Sequence, residues 1–295
     1  MAIGAIPQLG SELTFSLKHK RSWINLGLTV LAVGLAIIAA LPLASVLFML
    51  VTRGVPSLSL ELFTELPPGA GTTGGGIGNA ILGTTILVLV ASAFSLPLGF
   101  LAAVYLAEYG GDSQLANAVR FSGKILTGMP SILAGAFAYA AVVMATGSFS
   151  AWAGGIATGI LMVPVVMLTA EEALRMVPEK MRQAALGMGS TRAQMVLQVV
   201  IPTALPAIMT GVMLALARAM GETAPLLFTA LFSNYWFEGN LGEPIASLAV
   251  LIYNFSGSPF ENQVELAWAA SLVLVVLVLF ANLAAQFIFR RQKVH

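Results

Sequence analysis

Arg218 and Glu222 are the residues of this chain best placed to do chemistry, because they stand four apart in a segment whose other members are apolar or small. If one helix runs from Pro206 to Leu231, the arginine falls near the bilayer midplane, where a guanidinium costs roughly 2.5 to 3.5 kcal/mol on translocon scales. Something must offset that. The spacing puts Glu222 on the same helix face about one turn away, so an ion pair within one helix can form. Such a pair reads either as a structural lock inside a bundle or as a polar site beside a wet pathway; intramembrane charges collect beside pathways, and that reading is preferred. A planar guanidinium fork suits oxyanions, which makes an anion the natural cargo, with Arg218 guiding it, Thr223 beside it and Glu222 tuning it. A complete Arg–Glu pair is neutral. Net attraction therefore requires that Glu222 be displaced, protonated or satisfied elsewhere, or that a further cation come from a partner. Pro225, which has no N–H, leaves the Gly221 carbonyl without its helical partner and adds polar backbone at the same depth.

A second constellation lies in the hydrophilic interruption Met181 to Pro202. Pro178 suits the first position of a short helix, and Glu179 complements its positive start. Ala184 and Ala185 are small enough for a partner's groove to approach closely, Leu186 follows them, and Lys180 and Arg182 stay in water. Gly187 and Gly189 end the helix, since glycine accepts the left-handed conformation of a C-cap. Thr191-Arg192-Ala193-Gln194 has the spacing of a capping box that opens a second helix. Helix, glycine bend, helix is a docking shape, and an ordinary amphipathic connector is its alternative.

Composition fixes the setting for both. With 58% hydrophobic and 9% charged residues and a mean hydropathy of +0.91, the chain cannot cover itself with polar surface as a soluble domain must. It belongs in a bilayer and is all-α. Apolar stretches of about 20 residues or more, of which 206–231 contains two charges, Arg218 and Glu222, place six transmembrane helices at about 22–52, 78–107, 125–146, 152–171, 206–231 and 266–289. These form one permease domain over 22–290, with a cytoplasmic coupling loop at 175–202, an N-terminal tail over 1–21 and a C-terminal tail over 291–295. Leu9, Leu13 and Leu17 suggest a short surface helix in the first tail. The first apolar segment is too long for a signal-peptide core and is read as an uncleaved span.

The basic residues orient the bundle. Lys18, Lys20, Arg21, Arg120, Lys124, Arg175, Lys180, Arg182, Arg192, Arg290, Arg291 and Lys293 all fall on one side if both termini are cytoplasmic, while Glu61, Glu65, Glu238, Glu243, Glu261 and Glu265 fall on the other. The same assignment puts Gln183 and its loop in the cytoplasm, which favours docking over the connector. Arg175, beside Glu171 and Glu172, ranks second as a pathway residue because a plain interfacial cluster explains it as well. Gly155 and Gly159 have the spacing that permits close helix packing, and Pro130 and Pro164 are expected to kink their helices. Pro244 to Tyr253 is apolar but too short to span, so it is read as interfacial or re-entrant. There are no cysteines, the two histidines lie in the tails, and nothing points to nucleic acid. The one Gly-Lys pair, Gly123-Lys124, is followed by Ile125 and lacks the glycine of a nucleotide-binding loop, so any ATP and Mg must be bound elsewhere.

Two resemblances draw these readings together. Gln183-Ala184-Ala185, Gly189 and the closing Val199-Val200-Ile201-Pro202 resemble the signature by which permeases of ABC importers dock on their ATPases, except that Gln183 stands where the family usually has Glu. The run Ala217-Arg218-Ala219-Met220-Gly221-Glu222-Thr223-Ala224-Pro225-Leu226-Leu227 resembles the PstA-type permeases of bacterial phosphate ABC importers. Pro97-Leu98-Gly99, Tyr105 to Tyr109, Gly128 to Ile132 and Glu171 to Pro178 agree, so the likeness covers about Gly74 to Leu231. It implies the six-helix type I importer permease fold in the bacterial inner membrane. It also implies a second, PstC-like permease, two PstB-like ATPases holding ATP and Mg, a periplasmic PstS-like phosphate-binding protein, and transport roles for Arg218 and Arg175. Docking would use Pro178, Arg182, Gln183, Ala184, Ala185, Leu186, Gly189 and Thr191. Two rivals remain at this point: a proton-coupled secondary anion transporter, and an ABC permease for sulfate or molybdate.

Overall fold

Long apolar helices, broken where proline or a charge pair intervenes, build the whole of the computed structural model, which describes residues 20–72 and 74–290. Among these residues there is no strand. The tails, including Leu9, Leu13 and Leu17, lie outside them. The chain divides into two units, Met1–Met49 and Leu50–His295. Within the first, helix α1 (Lys20–Gly54) begins. Its side chains, such as Val30, Leu35 and Ile38, are exposed and apolar all round, which suits a helix surrounded by lipid.

In the second unit a short α2 (Leu60–Thr64) precedes α3 (Gly78–Val104), which continues through a π-helical turn, Tyr105–Tyr109. Next come α4 (Gln114–Gly128) and α5 (Ser131–Ala138), the latter running through another π turn into α6 (Met144–Thr146). Helix α7 (Ala151–Arg175) is the most buried span. The hydrophilic interruption holds α8 (Glu179–Gly187) and α9 (Arg192–Met195), and a π turn, Val196–Val200, joins α9 to α10 (Ile201–Gly221). Then follow α11 (Ala224–Leu227), α12 (Leu248–Ser256) and α13 (Glu261–Arg290).

Glycines set the central packing. A Cβ on Gly155 would stand 2.3 Å from Val90, and one on Gly159 would stand 2.0 Å from Phe94, so α7 admits α3 only because these positions are bare. The favour is returned at Gly99, whose Cβ would meet Val166 at 2.9 Å. Without a hydrophobic drive between helices in lipid, such close contact supplies the cohesion.

Among the described residues five helices are long and apolar enough to cross a membrane, and a bent pair, Gln114–Gly128 with Ser131–Thr146 at 105°, makes a sixth crossing if the two segments form one span and a re-entrant loop if they do not. The single helix expected at 125–146 is therefore two segments. Met129 precedes a proline and takes an extended backbone, ψ 134, because proline's ring crowds the helical conformation of its predecessor. The helix expected at 206–231 is also shifted. It runs over Arg192–Gly221, gaining turns from the capping box at its start and losing its end where Glu222 turns extended, ψ 123. Accordingly much of the 175–202 loop is helical. The last span starts at Glu261 rather than 266. Pro164 lies inside α7. Helix α12, which takes in the end of the Pro244 to Tyr253 segment, is packed inside the unit: its Leu248, Leu251 and Phe255 are buried with Ile77, Ala80 of α3, and Ala269 and Ala270 of α13.

Candidate functional site

Arg218 sits in the last turn of α10, not at the centre of a longer helix, and there its charge complements the negative end of the helix dipole. Helix α10 stops short, and Arg218, Ala219 and Glu222 lie beside Thr158, Leu161, Met162 and Val165, the middle of α7. Arg218 Nε donates to Glu222 Oε1 at 3.1 Å, so the ion pair forms. The crevice between the pair and α7 is too narrow to hold a water molecule. Outward, though, the arginine side chain keeps 42% of its exposure while the glutamate keeps 12%. The guanidinium thus lies at mid-height on a face that this unit leaves open. Thr223 is half-buried, and among the described residues its hydroxyl has no hydrogen-bond partner. Pro225 is not inside α10; it stands in the first turn of α11, with its Cα 2.7 Å from where a Gly135 Cβ would stand, so α5 can pack there only with glycine.

Arg175 belongs elsewhere. It lies roughly four turns along α7 from Leu161, about 20 Å at 1.5 Å per residue, and pairs with Glu171 at 2.9 Å with a half-exposed side chain. Glu171 also accepts from Arg120 at 2.7 Å. The structure does not bring Arg175 and Arg218 together.

At the docking loop the local signals are realised. Gly189 has φ +89, Ser190 N–H donates to the Ala185 carbonyl at 3.2 Å and Gly189 N–H to that of Leu186 at 3.0 Å, the paired bonds of a Schellman cap. Thr191 and Gln194 form both halves of the capping box. Gly187, however, is simply the last helical residue, and Pro178 precedes the helix as its N-cap. Gln183, Ala184, Leu186 and Met188 are exposed. Two residues assigned to docking turn inward instead. Ala185 is buried in the subunit's own core beside Met195 and Val200. Arg182 is not in water: it donates to Glu108 Oε1 at 2.8 Å, to the Leu174 carbonyl at 2.9 Å and to the Val177 carbonyl. Its side chain adds donors to the carbonyls at and just beyond the end of α7, a role that charge patterning does not reveal.

Glu108 is the residue that sequence reasoning missed. It stands on the π turn after α3, buried, with Arg182 on its carboxylate and Arg192 on its carbonyl; Arg192 also lies over the Tyr109 ring at 5.0 Å. An acidic residue directly after the apolar run ending at Ala107 is the signal that was available. Among the described residues no group of His, Cys, Asp or Glu could hold a metal ion.

At the opposite end, the loop after α11 closes the start of α7: Ala151 and Trp152 donate to the carbonyls of Glu243 and Leu241, and Ser150 donates to that of Thr229. Asn79 ties the start of α3 to the Ser233 carbonyl at 3.0 Å. Leu231 adopts φ +57, an unusual conformation for a branched side chain.

Comparison with known proteins places this architecture. Residues 18–294 match the family described as binding-protein-dependent transport system inner membrane component. A phosphate transport system permease protein PstA of Yersinia pestis is 44% identical over 248 residues, covering 84% of each chain. A PstA of Haemophilus influenzae is 40% identical over 282 residues, 96% of this chain and 98% of that one. Among solved structures, a bacterial ABC transporter involved in the import of the acidic polysaccharide alginate aligns with a TM-score of 0.59 over 93% of this chain and all of that chain, at 16% identity. That likeness speaks for the fold, the type I ABC importer permease fold.

Proposed function

The chain belongs to the family of binding-protein-dependent transport system inner membrane components, and from that premise we propose that it is the permease subunit through which an ATP-driven importer moves inorganic phosphate across the bacterial inner membrane. It is a non-catalytic transport subunit, and ATP with its Mg is bound and hydrolysed by a partner. Named phosphate permeases at 40% identity and above over most of the chain support the cargo, and a chemical observation in the structure agrees with it.

That observation is the half-exposed Arg218 at mid-height of α7. A guanidinium facing hydrocarbon at that depth costs several kcal/mol, so the open face of α10 must meet protein or water. A second, PstC-like permease opposite this face would enclose a conduit, with Arg218 presenting donors to phosphate oxygens and Thr223 supplying a further polar group. Glu222 holds the guanidinium when the site is empty and yields it to the anion as it passes. With both termini cytoplasmic, the exposed Gln183, Ala184, Leu186 and Met188 meet one of two PstB-like ATPases, while the loop over 232–247 faces a PstS-like binding protein. Arg175, far from Arg218 and paired with Glu171, serves the cytoplasmic mouth.

The test is phosphate uptake by proteoliposomes holding the complex co-expressed with its genomic neighbours. Arg218→Gln should slow ATP-driven uptake severely while the ATPase still co-purifies. Uptake at the wild-type rate would remove Arg218 from the route, and uptake driven by a pH gradient without any ATPase would overturn the importer itself. Competition by sulfate or molybdate at concentrations similar to phosphate would reassign the cargo.

A further inference from the structure

One guanidinium, that of Arg182, bonds to three elements at once. It grows from α8, its donors reach the Leu174 and Val177 carbonyls where α7 finishes, and it binds the buried Glu108 carboxylate on the π turn after α3. Arg192 closes the same turn from the far side, with a hydrogen bond to the Glu108 carbonyl and a stack over Tyr109. The two arginines therefore bracket Tyr105–Tyr109 between the helices on either side of the Gly189 bend. Arg182 and Glu108 keep 13% and 4% of side-chain exposure, so water does little to loosen their bond. Packing continues the connection: Ala103 of α3 lies in one cluster with Leu174, Ala185 and Val196, and further along α3 the bare glycines of α7 receive Val90 and Phe94.

We propose that Arg182 is a coupling strut, a positioning residue whose fork makes α8, the end of α7 and the π turn of α3 move as one body, so that displacement of the docked ATPase reaches α3 rather than being lost in the loop. The idea rests on the docking role given above to the exposed face of α8. Only a planar fork with several donors serves three acceptors at once; a lysine ammonium, compact and on a flexible stem, holds them in no fixed plane. Glu179, 3.8 Å from the same guanidinium and 70% exposed, adds nothing to the strut.

The experiment uses the whole complex in proteoliposomes and reads phosphate imported per ATP hydrolysed. Arg182→Lys and Glu108→Gln should each lower that ratio about tenfold, the scale on which one charged hydrogen bond shifts an equilibrium. ATPase binding should persist in both, and Glu179→Gln should keep the wild-type ratio. An unchanged ratio in the first two, or an equal fall in the third, overturns the strut. Hydrogen exchange on the wild-type complex tests it without any variant: on nucleotide binding, the amides of 105–110 and of 174–187 must change protection together, and a change confined to 179–187 overturns it. Absence of any ATPase from the purified wild-type complex would instead refute the docking role.

Discussion

Two arginine–glutamate pairs in this chain use the same chemical groups and differ in how completely the protein satisfies them. At the docking-loop end, Arg182 spends its donors on a carboxylate and two helix-terminal carbonyls, and both partners are nearly sealed. At mid-height, Arg218 gives one hydrogen bond through Nε to Glu222 and leaves much of its surface open. A saturated guanidinium holds a structure together. One with donors to spare on an open face is what the proposed function requires of a group that meets a passing anion.

Breaking the saturated pair should produce the largest change in stability. Glu108→Ala leaves the Arg182 charge buried beside helix carbonyls without its counter-ion, and should lower the stability of the purified subunit by about 3 kcal/mol, read as a drop in melting temperature in detergent. Glu222→Ala, at the open pair, should cost under about 1 kcal/mol by the same assay; equal losses would erase the distinction. Next in size is the functional counterpart. Arg218→Gln should slow ATP-driven phosphate uptake by at least about thirtyfold, near 2 kcal/mol, as expected when a charged donor is lost from a desolvated route, with the melting temperature almost unmoved.

A smaller effect tests the frame that holds the docking face. Gly189→Val forces a β-branched side chain to φ +89 and should cost about 1 to 2 kcal/mol, with weaker retention of the ATPase on purification. The least is expected at the exposed partner of Arg182: Glu179→Gln should move stability by less than about 0.5 kcal/mol, and a larger loss would mean that exposure does not sort these pairs.

What could be read from the chain beforehand was what is local along it. Thr191 and Gln194 bond within one turn, and Gly189 answers a conformational demand of its own backbone, so both were legible. Arg218 and Glu222 were legible as a pair for the same reason. Arg182 was misjudged because its partner Glu108 lies 74 residues away, and nothing in the spacing joins them. Ala185 was given to a partner because a small residue reads alike whether it faces outward or inward; burial beside Met195 and Val200 is decided by how α8 folds back. The helix ends were a different kind of miss. Gly221 followed by Pro225 is a stop signal of ordinary kind, and Met129-Pro130 another, yet uninterrupted hydrophobicity outweighed both.

An unbroken rod passes a push from one face of a membrane to the other. In this chain the crossing that carries Arg218 is jointed, since the backbone leaves the helical path at Glu222 and resumes it only at Ala224. Above the joint the cap is tied to α7 by backbone hydrogen bonds, through the Thr229 carbonyl to Ser150 and through Glu243 to Ala151, while below it α10 is held to α7 by side-chain packing. Tilt delivered from below would then be spent at the arginine itself, turning a rigid-body motion into a local rearrangement of the Arg218–Glu222 pair.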